Sequence, residues 1–235
     1  MGALRANGSQ TRPVGRVERR QQRTRIRLLE AGYGVMSEVG VDAATIVEIT
    51  ERADVGFGTF YNYFESKEAL ATDVLDCVIH NLGQRNDLVT AQLGETEPIR
   101  IVANSVRLIA REMIDEAVWA WWVAQPGLLV DRLREGHRAF AHRDFRDAMA
   151  SGDLPVVADD FELAWGQLNW LLAGGVRDII EGRHPQSAER QIVESILRLL
   201  GVDRTRATEA VARELPSYPD LPVDFSICQG FAETN

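Results

Sequence analysis

Between Phe57 and Lys67 the chain reads F-G-T-F-Y-N-Y-F-E-S-K. The side chains there that can make directional polar contacts suit recognition rather than turnover. Asn62 carries the donor and acceptor pair that fits the major-groove edge of adenine, and Thr59 can bond a base edge or rest against a thymine methyl. Gly58 lets backbone approach a duplex closely, with Phe57 exposed beside it. Tyr61, Tyr63 and Lys67 are types that bond phosphate oxygens, which fixes register without reading sequence. The competing reading gives Tyr61 and Tyr63 only a surface role, while Phe60 and Phe64, four apart, read as core.

Catalytic chemistry has no comparable cluster. There is no G-x-S-x-G elbow, no P-loop and no G-x-G-x-x-G opening a helix after a strand. His137 and His142 are five apart, a spacing that does not align two metal ligands on a helix face. Cys77 and Cys228 lack both a CxxC partner and a histidine at zinc spacing, so they read as ordinary thiols without a disulfide framework. The expectation is no cofactor, no metal and no enzyme. A small-molecule enzyme with a triad assembled from distant residues remains the weaker alternative.

The elements that position Phe57 to Lys67 follow from periodicity, which is helical throughout, so the fold class is all-α. Leu28, Gly32, Val35 and Val39 share one face of a first helix from about Glu18, and Gly40 stops it. Thr45 and Glu48 form a T-x-x-E capping box opening a second helix with Ile46, Ile49 and Ala53 inward. Asp54 to Phe57, containing Gly56, reads as a turn, and a short helix spans Gly58 to Phe64. Residues 45–64 thus have the length and pattern of a helix-turn-helix DNA reader, in which the first helix braces the second against the major groove. Ser66 caps a long fourth helix carrying Leu70, Val74, Cys77 or Val78, and Leu82. Beyond Gly94 come a helix from Pro98 with Val102, Val106, Ile109 and Met113, a break at Pro126–Gly127, and one helix over 128–150. A helix capped by Asp159 or Asp160 runs to Ile180, followed by helices over 187–200 and 204–215.

Charge separates along these elements. The net charge is −9 overall, yet residues 1–27 hold eight arginines against one acid, and residues 28–70 and 71–235 are both acidic. A basic N-terminus on an acidic body is the footprint of a protein that meets a polyanion at one end. The alternatives are a solvated tail, or a nonspecific nucleoid-type DNA protein whose affinity comes mainly from the arginines and fades steeply with salt. The expected organisation is a disordered basic arm over 1–17, a three-helix DNA-binding domain over 18–65, a helical effector and dimerisation domain over 66–215, and a loosely attached Pro-containing tail over 216–235.

The string from Thr45 to Leu70, TIVEITERADVGFGTFYNYFESKEAL, resembles the DNA-binding signature of the TetR family of transcriptional regulators. Thr45, Ile49, Ala53, Val55, Gly58, Thr59, Tyr61, Tyr63, Phe64, Lys67, Glu68 and Leu70 each fill its places. Leu28–Leu29, Ala31, Val35–Met36 and Gly40 are similar to that family's first helix, with Gly32 where a second alanine is more usual. The likeness covers roughly residues 23–72. It implies a homodimer whose two helix-turn-helix units bind an inverted-repeat operator, and a small molecule in the C-terminal domain that releases it. Thr45, Thr59, Tyr61, Tyr63 and Lys67 match the family's DNA-contacting positions, and Phe57 and Asn62 its variable, sequence-reading ones.

All five tryptophans lie beyond residue 118. Core volume is their plain role. As a pocket, Trp119, Trp122, Phe140, Trp165 and Asn169 would surround an apolar or aromatic effector, with Arg111 or His137 available for an acid group. Dimerisation is expected through helices near 160–181 and 187–200. Ala164, Gly166, Ala173, Gly174 and Gly175 would permit close approach, and Leu172 and Ile196 would sit at the interface, unless the small residues serve intrachain packing. The longest apolar runs, Val118–Ala124 and Trp170–Val176, are seven residues each, against about 20 for a membrane span. With no secretory signal in residues 1–27, cytoplasmic localisation is expected.

Overall fold

The computed structural model describes residues 15–155, 160–215 and 222–227, and among these there is no strand. Eleven α-helices are described, α1 (Arg16–Val39), α2 (Ile46–Arg52), α3 (Phe57–Phe60), α4 (Lys67–Leu93), α5 (Pro98–Asp115), α6 (Trp119–Val123), α7 (Pro126–Gly136), α8 (Arg138–Ala150), α9 (Phe161–Ile180), α10 (Glu189–Leu199) and α11 (Arg204–Ala212). A 3₁₀ turn, Gln186–Ala188, leads into α10.

α1 starts two residues earlier than its apolar pattern suggests, because Glu18 Oε2 accepts the Gly15 N–H at 2.7 Å. Arg16 and Val17 are therefore helical rather than part of an arm, and residues 1–14 lie outside the described residues. Leu28, Leu29, Ala31, Gly32, Val35 and Met36 form its buried face. A Cβ on Gly32 would stand 2.6 Å from Leu70 Cδ2, which accounts for glycine where the family usually has alanine.

The Thr45–Glu48 capping box forms as expected: the Glu48 N–H donates to Thr45 Oγ1 at 3.2 Å, and the Thr45 N–H to Glu48 Oε2 at 3.0 Å. The sharp point of the following turn is Asp54 with φ 52°, not Gly56, whose φ is −66°. Aspartate tolerates the left-handed region better than most residues. α3 is one turn long and closes in a bend over Tyr61–Tyr63 instead of continuing to Phe64.

α4 is capped by Ser66, whose hydroxyl accepts the Ala69 N–H at 3.1 Å, and ends in left-handed Gly94. It packs on α1 at one end and on α5 and α7 further along. The expected single helix over 128–150 is two helices, α7 and α8, broken at Gly136–His137. A Cβ on Gly136 would lie 2.4 Å from Ile79 Cγ2, so α7 can end against α4 only as glycine. The next residue, His137, is held by the carbonyl of Ile79 through Nε2 at 2.8 Å. A carbonyl only accepts, so Nε2 carries a proton, and burial, which lowers the ring's pKa to about 4, keeps the ring neutral above that pH. Leu172 and Ile196, expected at a dimer interface, are 2% and 0% exposed within the single chain. Ala164 and Ala173 are likewise buried, and Gly175 lies against Ile192.

Two further expectations change. Cys77, on α4, is disulfide-bonded rather than an ordinary thiol; the chain's other cysteine, Cys228, lies outside the described residues. Part of the tail is also not loose, since Phe225 is buried in the common core with Val223 and Ile227 packed beside it.

His137 sets an acid limit on this arrangement. Burial first, and His80 second, lower its pKa to about 4, against the Ile79 carbonyl and Asp87, which raise it. Between pH 6.5 and 4 the unfolded chain binds a proton there that the folded chain refuses, so this contribution to stability falls as pH falls. Asp76, raised to about 6 mainly by burial, has the opposite sign below pH 6. The variant His137→Gln isolates the histidine: its stability deficit relative to the parent at pH 7 is expected to shrink by about 3 kcal/mol at pH 4, measured by urea denaturation at both pH values.

Candidate nucleic-acid interface and effector cavity

The turn at Asp54 aims α3 outward. Phe57 and Tyr61 are 51% and 52% exposed, with rings in edge contact at 5.6 Å. Phe60, between them in sequence, is fully buried on α3's inner face and meets the Tyr61 ring edge-on at 5.4 Å. Gly58 has open space where a Cβ would stand, and Asn62 is exposed. Thr59 and Tyr63 are half-buried, Tyr63 against the core. Two exposed aromatic side chains beside a polar amide and a bare glycine form a surface that is costly in water unless something covers it.

Thr45 and Lys67 flank this surface with their polar atoms engaged. The Thr45 hydroxyl donates to Glu48 Oε2 at 2.7 Å. Lys67 Nζ donates to the carbonyls of Asp42 and Ala44, both at 2.9 Å, tying down the α1–α2 loop. One face of α1 presents Arg20, Arg23, Thr24 and Arg27 beside α3, a juxtaposition that no local motif in the sequence marks. These line an open groove of about 490 Å³ with Asp54, Val55, Gly56 and Thr59. The spacing of 20, 23, 24 and 27 places them on one face of the helix expected from about Glu18, so the signal lay in the arginine spacing as well as the arginine count.

A second concavity, narrow at about 30 Å³, lies between α4, α5, α8 and α9. Val106 and Ile109 from α5, Phe140, Ala141 and Phe145 from α8, and Trp165, Leu168 and Leu172 from α9 supply apolar walls. Gly83 of α4 opens the space, for a Cβ there would meet Phe140 Cε2 at 2.4 Å. Asn86, Ser105, His137, Asp144 and Asn169 bring polar atoms to the wall. Asn86 Oδ1 is buried without a hydrogen-bond partner. Burial raises the Asp144 carboxyl, against the lowering effect of Arg143 and of Ser105, whose hydroxyl donates to it at 3.1 Å. Arg143 also donates to Asp87 at 2.9 Å and lies 5.9 Å from the centre of the Phe140 ring.

Phe140, Trp165 and Asn169 thus meet at one cavity as expected. Trp119 and Trp122 do not line it; both are fully buried and stack edge to face at 5.2 Å in α6. Arg111 is on another side of α5, donating to the Leu215 carbonyl at 3.1 Å. His137 is at the cavity but neutral, so it offers no cation for an acid group. Asn86, Ser105 and Asp144 were missed because a lone polar residue in an apolar helix pattern gives no sign of which neighbours will surround it.

On α9 the outward face carries Leu163, Gln167, Trp170, Leu171 and Gly174. Leu163 and Trp170 are 58% and 51% exposed, and Gly174 has nothing within 4 Å of where a Cβ would be. Of the small residues expected to allow close approach, Gly174 alone faces open space; Gly166 sits beside Arg134.

Residues 28–74 match the family described as bacterial regulatory proteins, tetR family, and residues 97–213 match the tetracyclin repressor-like C-terminal domain. The HTH-type transcriptional repressor DhaR of Mycobacterium sp. (strain GP1) is 38% identical over 77 residues, 33% of this chain and 38% of that protein. The regulator BetI of Yersinia pestis is 31% identical over 107 residues, 45% of this chain and 52% of that protein. The chain therefore spans between about a third and a half of the length of these curated relatives. Among solved structures, RolR in complex with resorcinol superposes with a TM-score of 0.77 at 29% identity, over 87% of this chain and 100% of that one. A TetR regulator from Rhodococcus sp. RHA1 shares the fold, with a TM-score of 0.56 at 22% identity over 77% of this chain and 97% of that one. Both halves of the molecule, the helix-turn-helix unit and the helical body behind it, match the same family: the chain belongs to the TetR family.

Proposed function

We propose that the chain is a sequence-specific DNA-binding transcriptional regulator, a repressor acting in the cytoplasm as a homodimer on an inverted-repeat operator and released by a small aromatic effector. The observation that carries this reading is the pairing of two surfaces on one framework. Phe57, Gly58, Tyr61 and Asn62 stand exposed beside the arginine face of α1, and a lined cavity lies behind them. Asn62, Phe57 and Thr59 read base edges, Gly58 lets the backbone close on the duplex, and Tyr61 and Tyr63 position it on phosphates. Arg20, Arg23 and Arg27 add charge to that positioning. Thr45 and Lys67 keep the family's contact positions, with the third ammonium hydrogen of Lys67 left for a phosphate.

Phe140, Trp165 and Asn169 hold the effector. The cavity's polar groups favour a molecule that brings hydrogen-bond donors: Asn86 offers an unpaired acceptor, neutral His137 an acceptor nitrogen, and Asp144 a carboxyl. A planar phenol supplies both the apolar faces and the hydroxyl, and resorcinol bound to RolR is of that class. The α9 stripe of Leu163, Trp170 and Leu171 packs on its own copy about a twofold axis, with α10 alongside, as one self-complementary patch.

Selection of the purified chain on random duplex DNA is expected to enrich an inverted repeat with half-sites about one helical turn apart. On that duplex, Asn62→Ala should cost about 1–3 kcal/mol and relax one position per half-site, whereas Arg23→Ala should weaken all duplexes alike and flatten the salt dependence. Binding without an enriched motif, fading as salt rises, would favour the nucleoid-type alternative.

Trp170→Arg is expected to give monomers by light scattering with native helix content, and to lose operator affinity by about 100-fold or more, since one half-site binds alone. A dimer that survives this change would move the interface off α9.

Gly83→Val should push the Phe140 ring into the cavity. Calorimetric titration with resorcinol is expected to show at least about tenfold weaker binding than the parent, with operator affinity kept within about threefold. Equal resorcinol binding by both proteins would remove the cavity as the effector site.

A further inference from the structure

Residues 222–227 dock where the DNA-reading helices meet the effector domain. Asn81 of α4, nearly fully buried, pairs with the backbone of Asp224 through both ends of its amide. Its Nδ2 donates to the Asp224 carbonyl at 3.1 Å, and its Oδ1 accepts the Asp224 N–H at 2.9 Å. The Ser226 N–H donates to Asp224 Oδ1 at 2.8 Å, folding the segment into a tight turn. That turn drives Phe225 into the core, 3% exposed, with its ring centre 5.6 Å from that of Tyr33 on α1. One short segment therefore grips α4 through a two-point amide pair and α1 through an aromatic contact. Asn81 is two residues from Gly83 and five from Asn86, both on the cavity wall.

We propose that residues 222–227 are a strap clamping α1 to α4, which sets the angle of the helix-turn-helix unit against the effector domain and so tunes operator affinity. The strap rests on the regulator reading only for its effect on DNA. Any rotation of α1–α3 about α4 must open either the Tyr33–Phe225 contact or the Asn81–Asp224 pair. The two grips are directional, so they favour one angle, and their loss widens the range of angles that operator binding must then narrow.

The test uses full-length Phe225→Ala and Asn81→Ala, with Phe225→Leu as the conservative variant, all under a thiol reductant so that the Cys77 disulfide contributes nothing. Hydrogen exchange on the free protein reads the clamp without DNA. Amides over 28–39 of α1 are expected to exchange at least about tenfold faster in both alanine variants, while those of α9 and α10 stay within about twofold. Operator affinity, measured on the duplex selected with the parent, is expected to fall about 5–30-fold, with Phe225→Leu close to the parent in both measurements. Unchanged α1 exchange in the alanine variants would overturn the strap. So would an equal rise in α1, α9 and α10, which would make Phe225 ordinary core. Faster α1 exchange with unaltered operator affinity would overturn its role in setting the angle. If the parent enriches no duplex, the regulator reading fails, and the exchange pattern alone decides the clamp.

Discussion

The structure depends on α4 belonging to two packed units at once. Its 27 residues extend about 40 Å at 1.5 Å per residue. Leu70 and Val74 at the front complete the core that α1, α2 and α3 leave open, and Ile79 and Leu82 continue into the helical body behind it within the same continuous cluster. A three-helix unit of some fifty residues buries too little surface to be robust alone. Its reading surface is therefore held by the helix whose later turns, at Gly83 and Asn86, form the cavity wall. Ion pairs add direction along the same helix: Arg25 of α1 meets Asp73 at 2.6 Å, and Arg132 of α7 meets Asp76 at 3.2 Å.

Directional bonds select one register where apolar packing alone would accept several. The α1–α2 loop is held from two sides, by Lys67 through its carbonyls and by Trp121 of α6, whose indole N–H donates to Asp42 Oδ1 at 3.0 Å. Deeper in the body, Arg107 is fully buried, paired with Glu189 of α10 at 2.7 Å and donating to the Arg213 carbonyl at 2.5 Å. Burial lowers its pKa while Glu189 raises it. Such a pair adds little net stability over a well-packed apolar substitute, but either partner alone would be a stranded charge, so α5, α10 and the end of α11 can meet in only one way.

What was legible in the sequence was what local chemistry decides. The Thr45–Glu48 box, the Gly40 and Gly94 stops, the Ser66 cap and the face of α1 all follow from residues within one or two turns of each other. The helix-turn-helix unit falls in this class, which is why Phe57, Gly58, Tyr61 and Asn62 were found on its exposed side. The failures involve partners distant in sequence. Nothing near Gly136 announces that Ile79 will press against it, so the break between α7 and α8 was invisible. Leu172 and Ile196 have the same composition as an interface and differ from one only in what the rest of the chain places over them. Trp119 and Trp122 are likewise the right residue types for a pocket, yet α6 turns them into core. The tail's prolines suggested loose attachment, whereas Asn81, 143 residues away from Asp224, supplies the backbone pairing the segment lacks locally.

In the proposed dimer, geometry amplifies small changes at the cavity. Hydrogen bonds to base edges require donor–acceptor distances within about 2.7–3.2 Å, and two half-sites must be met together at a separation of about one helical turn. From Gly83 back to Lys67 the arm is about 24 Å, and a tilt of about 5° moves its far end by roughly 2 Å, well outside that window. An effector of the proposed regulator need not push the helix-turn-helix unit off the duplex. It needs only to bind more tightly to a conformer in which α4 is tilted, and the coupling of about 1–3 kcal/mol typical of such linkage is then enough to lower operator affinity 5–150-fold. Because both protomers tilt, neither half-site can compensate for the other. A cavity wall on the hinge helix is consequently a more sensitive place to read a small molecule than a pocket nearer the DNA, where the same displacement would act through a shorter arm.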